Sequence, residues 1–316
     1  MSRRGWWLFA AMSLIWGVPY LLIKVADSGV APPVLVLARV AVGASLLLPI
    51  AIRRRELAPL LPYWRWLMLF ALVEIIVPWL LLSEAETRLA SSLSGLLIAS
   101  VPILVAVFGR VTGGQDRLTP VRWAGLLVGL GGVGLLVAGN GTHGDAGSVA
   151  MVLGVAVCYS IGPLIAARKL SELPSLGLTA ACLVFAAVIY APIAAVTWPH
   201  AVPAAKVLAS LAGLAVVCTA LAFVLFFALI GEVGPARAAV ITYVNPAVAV
   251  ILGVLVLHER LTVMMATAFV LILGGSVLAT RPAGRAARPD GPGREPHEPD
   301  TAVAGHYPSA RPTGPD

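Results

Sequence analysis

An acidic side chain in the middle of an apolar run is the first residue of this chain that could do chemistry. Glu74 lies near the centre of Trp66–Ser83, between Val73 and Ile75, with no basic residue on that run. In a bilayer a charge at such depth costs at least about 2.5 kcal/mol, so the carboxyl should face a cavity or carry a proton. A group that gains and loses a proton in each cycle would couple a solute to a proton gradient; an ionised one would bind an amine. The alternative is an acid neutralised by Arg39, with a structural role only. Arg39 stands six residues into the run 33–52, placed to pair with Glu74 or grip a substrate carboxylate, although a long side chain there also snorkels. Lys24 closes the first run beside Asp27, where snorkelling competes with a part in binding. Trp16, Tyr20, Trp79, Tyr159, Tyr243 and Asn245 add aromatic faces and polar tips, as pockets for organic solutes do, and each alone also suits plain packing. Pro102 and Pro246 are candidate helix hinges, because proline removes a backbone donor and bends a helix.

These residues need elements to hold them, and composition says which. The 316 residues are 59% hydrophobic and 12% charged, with a mean hydropathy of +0.93, whereas soluble domains carry about 25% charged residues. Runs long enough to cross a bilayer core as helices fall at 7–23, 33–52, 66–83, 90–109, 121–139, 148–167, 177–197, 207–230, 237–257 and 262–280. They are rich in Leu, Ala and Val and lack the alternation of a membrane barrel, so helices are expected. With a cytoplasmic N-terminus, fifteen Lys and Arg fall in inside segments and four, Lys24, Arg88, Lys206 and Arg260, in outside ones. That positive-inside bias predicts ten crossings with both ends cytoplasmic, and it accounts for the net charge of +7 without nucleic acid. The first run reads as a retained helix, since no small-residue cleavage site follows it.

The chain also repeats itself. Asp116-Arg117-Leu118-Thr119 leads to Gly131-Gly132, and Glu259-Arg260-Leu261-Thr262 leads to Gly274-Gly275, both 143 residues apart. The same offset relates Trp16 to Tyr159 and Pro49 to Pro192; Pro102 and Pro246 are 144 apart. Five runs per copy is an odd number, so the second copy enters the membrane from the opposite side, as in many secondary transporters. The acids of the two motifs precede helices and are expected to cap free N–H groups. The Gly-Gly pairs are expected to permit close helix packing.

Other chemistries lack their residues. No phosphate-cradling G-x-x-x-x-G-K-[ST] loop occurs, and the five histidines lie in loops or the tail, so neither cofactor nor metal is expected. Ser91, Ser92 and Ser94 have no histidine partner within a run, so no catalytic set is expected. Cys158, Cys182 and Cys218 form no paired spacing for a disulfide framework.

Trp16-Gly17 with Lys24, Arg39, Pro102, the Asp116 motif and Gly131-Gly132, followed by Asn245-Pro246, the Glu259 motif and Gly274-Gly275, resemble two EamA repeats of the drug/metabolite transporter superfamily. The resemblance covers roughly residues 7–280. It implies a ten-helix transporter, commonly an exporter of amino acids or other small metabolites. It does not supply Glu74, and Tyr159-Ser160 and Ala167 replace Trp16-Gly17 and Lys24 in the second copy. The expected protein is therefore all-α and integral to the membrane: ten transmembrane helices as two inverted-topology five-helix repeats. A cytoplasmic N-terminus (1–6), first repeat (7–139), linker (140–147), second repeat (148–280) and disordered cytoplasmic tail (281–316) divide it. The expected function is secondary active transport of small organic solutes, an exporter working by alternating access in the cell membrane. Its partners would be the solute, the bilayer and, through Glu74, protons; a non-transporting scaffold or a passive channel is the alternative.

Overall fold

Long runs of Leu, Ala and Val leave the backbone to satisfy its own N–H and C=O groups, which a helix does without water. The computed structural model describes residues 2–111, 119–140, 146–238 and 240–279, and among them there is no strand. The first copy of the repeated motif, apart from Thr119, lies outside the described residues, as do 141–145 of the linker and the tail. Eight helices are long and apolar enough to cross a membrane: α1 (Arg3–Ala26), α2 (Pro32–Arg53), α3 (Ala58–Glu86), α4 (Ser91–Phe108), α5 (Pro120–Ala138), α6 (Ala146–Leu170), α7 (Ser175–Val196) and α8 (Ala205–Val233). Two apolar helices of 17 residues follow, α9 (Ile241–Leu257) and α10 (Val263–Ala279). At 1.5 Å per residue each spans about 26 Å, the short end for a crossing. Trp6, Trp7, Trp64, Trp66, Trp123 and Trp198 are exposed near helix ends, as an interfacial belt requires.

Several helices are irregular where polar side chains gather. α1 is interrupted at Val18, just ahead of Pro19, and α4 at Ala99–Ser100, just ahead of Pro102. Pro78 offers no N–H to the Glu74 carbonyl, and the chain widens into a π turn over Leu72–Ile76. The Tyr190 hydroxyl of α7 donates to the Ile76 carbonyl at 2.5 Å and fixes the end of that turn. α8 carries a π stretch over Gly213–Leu221. It contains the positions 143 residues beyond 72–76, so the widened turn recurs in both copies of the sequence. Such turns concentrate at functional sites.

The packing pairs equivalent helices of the two copies: α2 with α7, α4 with α9, and α5 with α10. The other principal contacts come in matched sets: α1 with α8 mirrors α6 with α3, α1 with α9 mirrors α6 with α4, and α2 with α8 mirrors α7 with α3. Glycines set how closely the pairs approach. A Cβ on Gly125 would meet the Ala279 N at 2.5 Å, one on Gly132 would meet Ile272 at 2.9 Å, and Gly129 faces Gly275. Numbers rise along α5 while falling along α10, so this pair is antiparallel. Glu56 against Gly177 and Gly43 against Leu183 make α2 and α7 antiparallel; Ser92 against Gly253 and Gly95 against Ala249 do the same for α4 and α9. Of the two Gly-Gly pairs, Gly132 and Gly275 serve this packing, while Gly131 and Gly274 have nothing within 4 Å of where a Cβ would stand.

Candidate functional site

Arg39 is buried on α2, and its guanidinium lies 3.6 Å from the centre of the Trp79 ring. Its Nε donates to Thr219 Oγ1 at 2.8 Å, and Thr219 in turn donates to the Leu214 carbonyl, five residues back in the π stretch of α8. A desolvated cation over indole gains about 2 kcal/mol or more, which partly offsets burial. Tyr20 and Tyr159 lie within electrostatic reach of the same guanidinium, and the Tyr159 hydroxyl is a hydrogen-bonding neighbour of Trp79. Arg39, Trp79, Tyr20, Tyr159 and Thr219 thus come together from α1, α2, α3, α6 and α8. Thr219 was invisible to pattern reading, because nothing distinguishes a threonine that holds an arginine from one that bonds its own helix.

Glu74 does not pair with Arg39. It sits in the π turn of α3 with its carboxyl pressed against Gly162 of α6, where a Cβ would collide with Oε2. That oxygen is buried and has no hydrogen-bond partner among the described residues. Neutralisation by Arg39 is therefore not the arrangement here: the arginine turns to Trp79 and α8. Tyr159 stands within electrostatic reach of both groups and links the acid to the arginine cluster.

Lys24 does not snorkel. Its Nζ donates to the backbone carbonyls of Glu86 at 2.5 Å and Leu89 at 2.7 Å, tying the end of α1 to the α3–α4 turn. Beside it Asp27 keeps both carboxyl oxygens buried without partners among the described residues. Burial pushes that carboxyl up to about 7; Lys24 opposes the rise and Glu84 adds to it. Glu86, absent from the sequence reading because the run was ended at Ser83, is fully buried on this turn.

The Glu259 carboxylate caps a helix, but not the one that follows it. Thr262 caps α10, its Oγ1 accepting from Met265 N at 3.2 Å. Glu259 reaches across to the other repeat and accepts from Ser91 N (2.8 Å), Ser91 Oγ (2.9 Å) and Ser92 N (2.9 Å) at the start of α4. Burial raises its proton affinity, yet the hydrogen bonds from Ser92 and Ser91 outweigh that and hold the carboxyl below its ordinary range. His258, with φ of 56°, turns the chain back so that the acid arrives there, and Gly253 leaves room for it. Glu56 makes the reciprocal contact, accepting from Gly177 N at 2.8 Å at the start of α7.

The remaining candidates make contacts of their own. Trp16 packs on Phe226 at 4.7 Å and Phe223 at 6.1 Å, in the α1–α8 contact. The Asn245 amide, oriented to satisfy both ends, donates to the Ser13 carbonyl at 3.2 Å and the Ile241 carbonyl at 2.9 Å, tying α9 to α1. Tyr243 directs its hydroxyl to the Ser276 carbonyl of α10 at 3.5 Å. Pro102 follows the break in α4, whereas Pro246 lies inside the continuous helix α9.

Apolar helices in two matched sets, irregular where buried polar groups meet between them, define a multi-pass membrane protein of the transporter class. The EamA-like transporter family model matches residues 3–138 and again 147–281, and the chain belongs to that family. It is 26% identical over 274 residues to the "Uncharacterized transporter YvbV" of Bacillus subtilis, covering 84% of this chain and 88% of that one. It is equally 26% identical to the "Uncharacterized inner membrane transporter YedA" of Escherichia coli K12, over 85% and 88%. A solved crystal structure shares the fold at 22% identity, with a TM-score of 0.64 over 89% of this chain and 97% of that chain.

Proposed function

We propose that this transporter is a secondary active exporter of small organic solutes, whether amino acid, metabolite or drug-like. It works by alternating access between two five-helix repeats of opposite orientation, 7–139 and 148–280, in the cell membrane. The observation that carries the reading is the antiparallel crossing of equivalent helices, α2 on α7, α4 on α9 and α5 on α10. A duplicated unit whose copies run oppositely gives two nearly equivalent states, one open to each side. Loop contacts support ten crossings. The end of α1 meets the end of α3, the α1–α2 turn meets the start of α8, and the α9–α10 turn meets the start of α4. Ser2 bonds Glu232 in the last turn of α8, and Glu56 of the α2–α3 turn meets the start of α7. In ten alternating crossings each of these contacts joins segments of one face, which supports the reading; the cytoplasmic ends rest on the distribution of Lys and Arg.

The solute site in this reading is the Arg39–Trp79–Tyr20–Tyr159–Thr219 cluster between the repeats, and Glu74 is the group that carries protons. Reconstitution tests it: saturable solute flux driven by an imposed pH gradient is expected, with gradient coupling lost in Glu74→Gln. Flux equal to protein-free liposomes would mean a scaffold, and non-saturating flux a passive channel. Unchanged coupling in Glu74→Gln would remove that residue from the mechanism.

A further inference from the structure

Glu86 has no part in the reading above, yet it is buried more completely than Glu74. It closes α3 with 0% exposure, and neither carboxyl oxygen has a hydrogen bond of acceptable geometry among the described residues: Ser94 Oγ is near enough to favour the charged form but donates to the Ala90 carbonyl at 3.4 Å. Lys24 holds the backbone carbonyl of this same residue at 2.5 Å but forms no ion pair with its carboxyl. Facing that carboxyl are Tyr20 and Lys24 from α1, Asp27 beyond it, Ser94 from α4 and Glu259 from the α9–α10 turn. Glu84 and Arg88 flank it in its own chain. An ionised carboxylate in such a place costs several kcal/mol unless it is paired, and the cation that could pair with it is engaged elsewhere. A proton on the acid removes that conflict.

We propose that Glu86 is a proton-binding site separate from Glu74, twelve residues along α3 and so about 18 Å away, and that Lys24 is its switching partner. With Glu86 protonated, Lys24 stays on the Glu86 and Leu89 carbonyls and holds α1 to the α3–α4 turn. When the carboxyl releases its proton to water on that face, the ammonium moves from the carbonyls to the carboxylate of the same residue, so that α1 stays bound to the end of α3 while the Leu89 carbonyl, just ahead of α4, is let go. Use of this switch in a transport cycle rests on the function proposed above; the site itself does not.

Infrared spectroscopy of the full chain in liposomes, followed through a pH titration, reads the protonated carboxyl directly. Its C=O band is expected at neutral pH in the wild type and in Glu74→Gln, and the Glu86→Gln difference spectrum should show that component gone. Lys24→Met, which keeps the acid and removes its cation, should hold the band to a pH at least about one unit higher. A spectrum unchanged by Glu86→Gln, or a titration unmoved by Lys24→Met, overturns the proposal; the second arm stands even if Glu86→Gln fails to fold. Solute flux is not read, so failure here leaves transport standing, and a non-transporting protein whose Glu86 titrates this way leaves the site standing.

Discussion

Replacing Glu259 with glutamine separates the two repeats at a single side chain. Its carboxylate accepts three hydrogen bonds of 2.8 to 2.9 Å from Ser91 and Ser92. Bonds to a charged group contribute about 1.5–3 kcal/mol each and a helix N-cap about 0.5–2 kcal/mol. The three share one half-buried side chain and do not add. Glutamine keeps one acceptor oxygen but turns an NH2 group towards donors, so a loss of about 2 kcal/mol is expected; alanine leaves the N–H groups without an acceptor and should cost about 3 kcal/mol. The sign with pH follows from the depressed proton affinity of Glu259. Its contribution is present above the unfolded-state value and is lost as pH falls through the lower folded-state value. Unfolding of wild type and variant in detergent, at neutral pH and below about pH 4, measures this directly. The gap should be wide at neutrality and shrink in acid. Equal stability at neutral pH, or a gap indifferent to pH, would refute the cross-repeat cap.

Gly275→Val should force α5 and α10 apart, because its side chain would enter the Gly129 backbone and stand 2.6 Å from the Gly125 carbonyl; a loss of about 2–3 kcal/mol is expected in the same unfolding assay. Gly274→Val, which meets nothing within 4 Å, should stay within about 0.5 kcal/mol of wild type. Asp27 carries the opposite pH sign to Glu259: its folded-state proton affinity is raised, to about 7, so stability falls as pH rises from the unfolded-state value through that point. Thermal unfolding of Asp27→Asn should match wild type in acid and exceed it above neutrality.

The helices were legible because apolar length is a property of the chain alone: the run at 177–197 and the helix Ser175–Val196 differ by two residues at the start and one at the end. The duplication was legible for the same reason, as an offset. Partners were not. Arg39 was deep enough to suggest Glu74, yet it bonds Thr219, 180 residues away, and no local spacing reports such a contact. Lys24 read as a snorkelling side chain because the carbonyls it holds belong to another helix end. Glu259 read as a cap for its own helix, since the sequence places Ser91 nowhere near it. Ending the third run at Ser83 discarded Glu86: two acids look like a loop when the cation, the serine and the tyrosine that surround them come from other helices.

Two repeats of opposite orientation are the centre of this account, and labelling of single introduced cysteines in intact cells tests them most directly, in a background with Cys158, Cys182 and Cys218 replaced. Ser28→Cys in the α1–α2 turn and Ala201→Cys in the α7–α8 turn should react with an impermeant thiol reagent from outside. Glu56→Cys in the α2–α3 turn and Ser171→Cys in the α6–α7 turn should react only after permeabilisation. Ser28 and Ser171 follow equivalent helices, 143 residues apart, so their appearance on opposite faces is the inverted repeat itself. Labelling of both from the same side would contradict it.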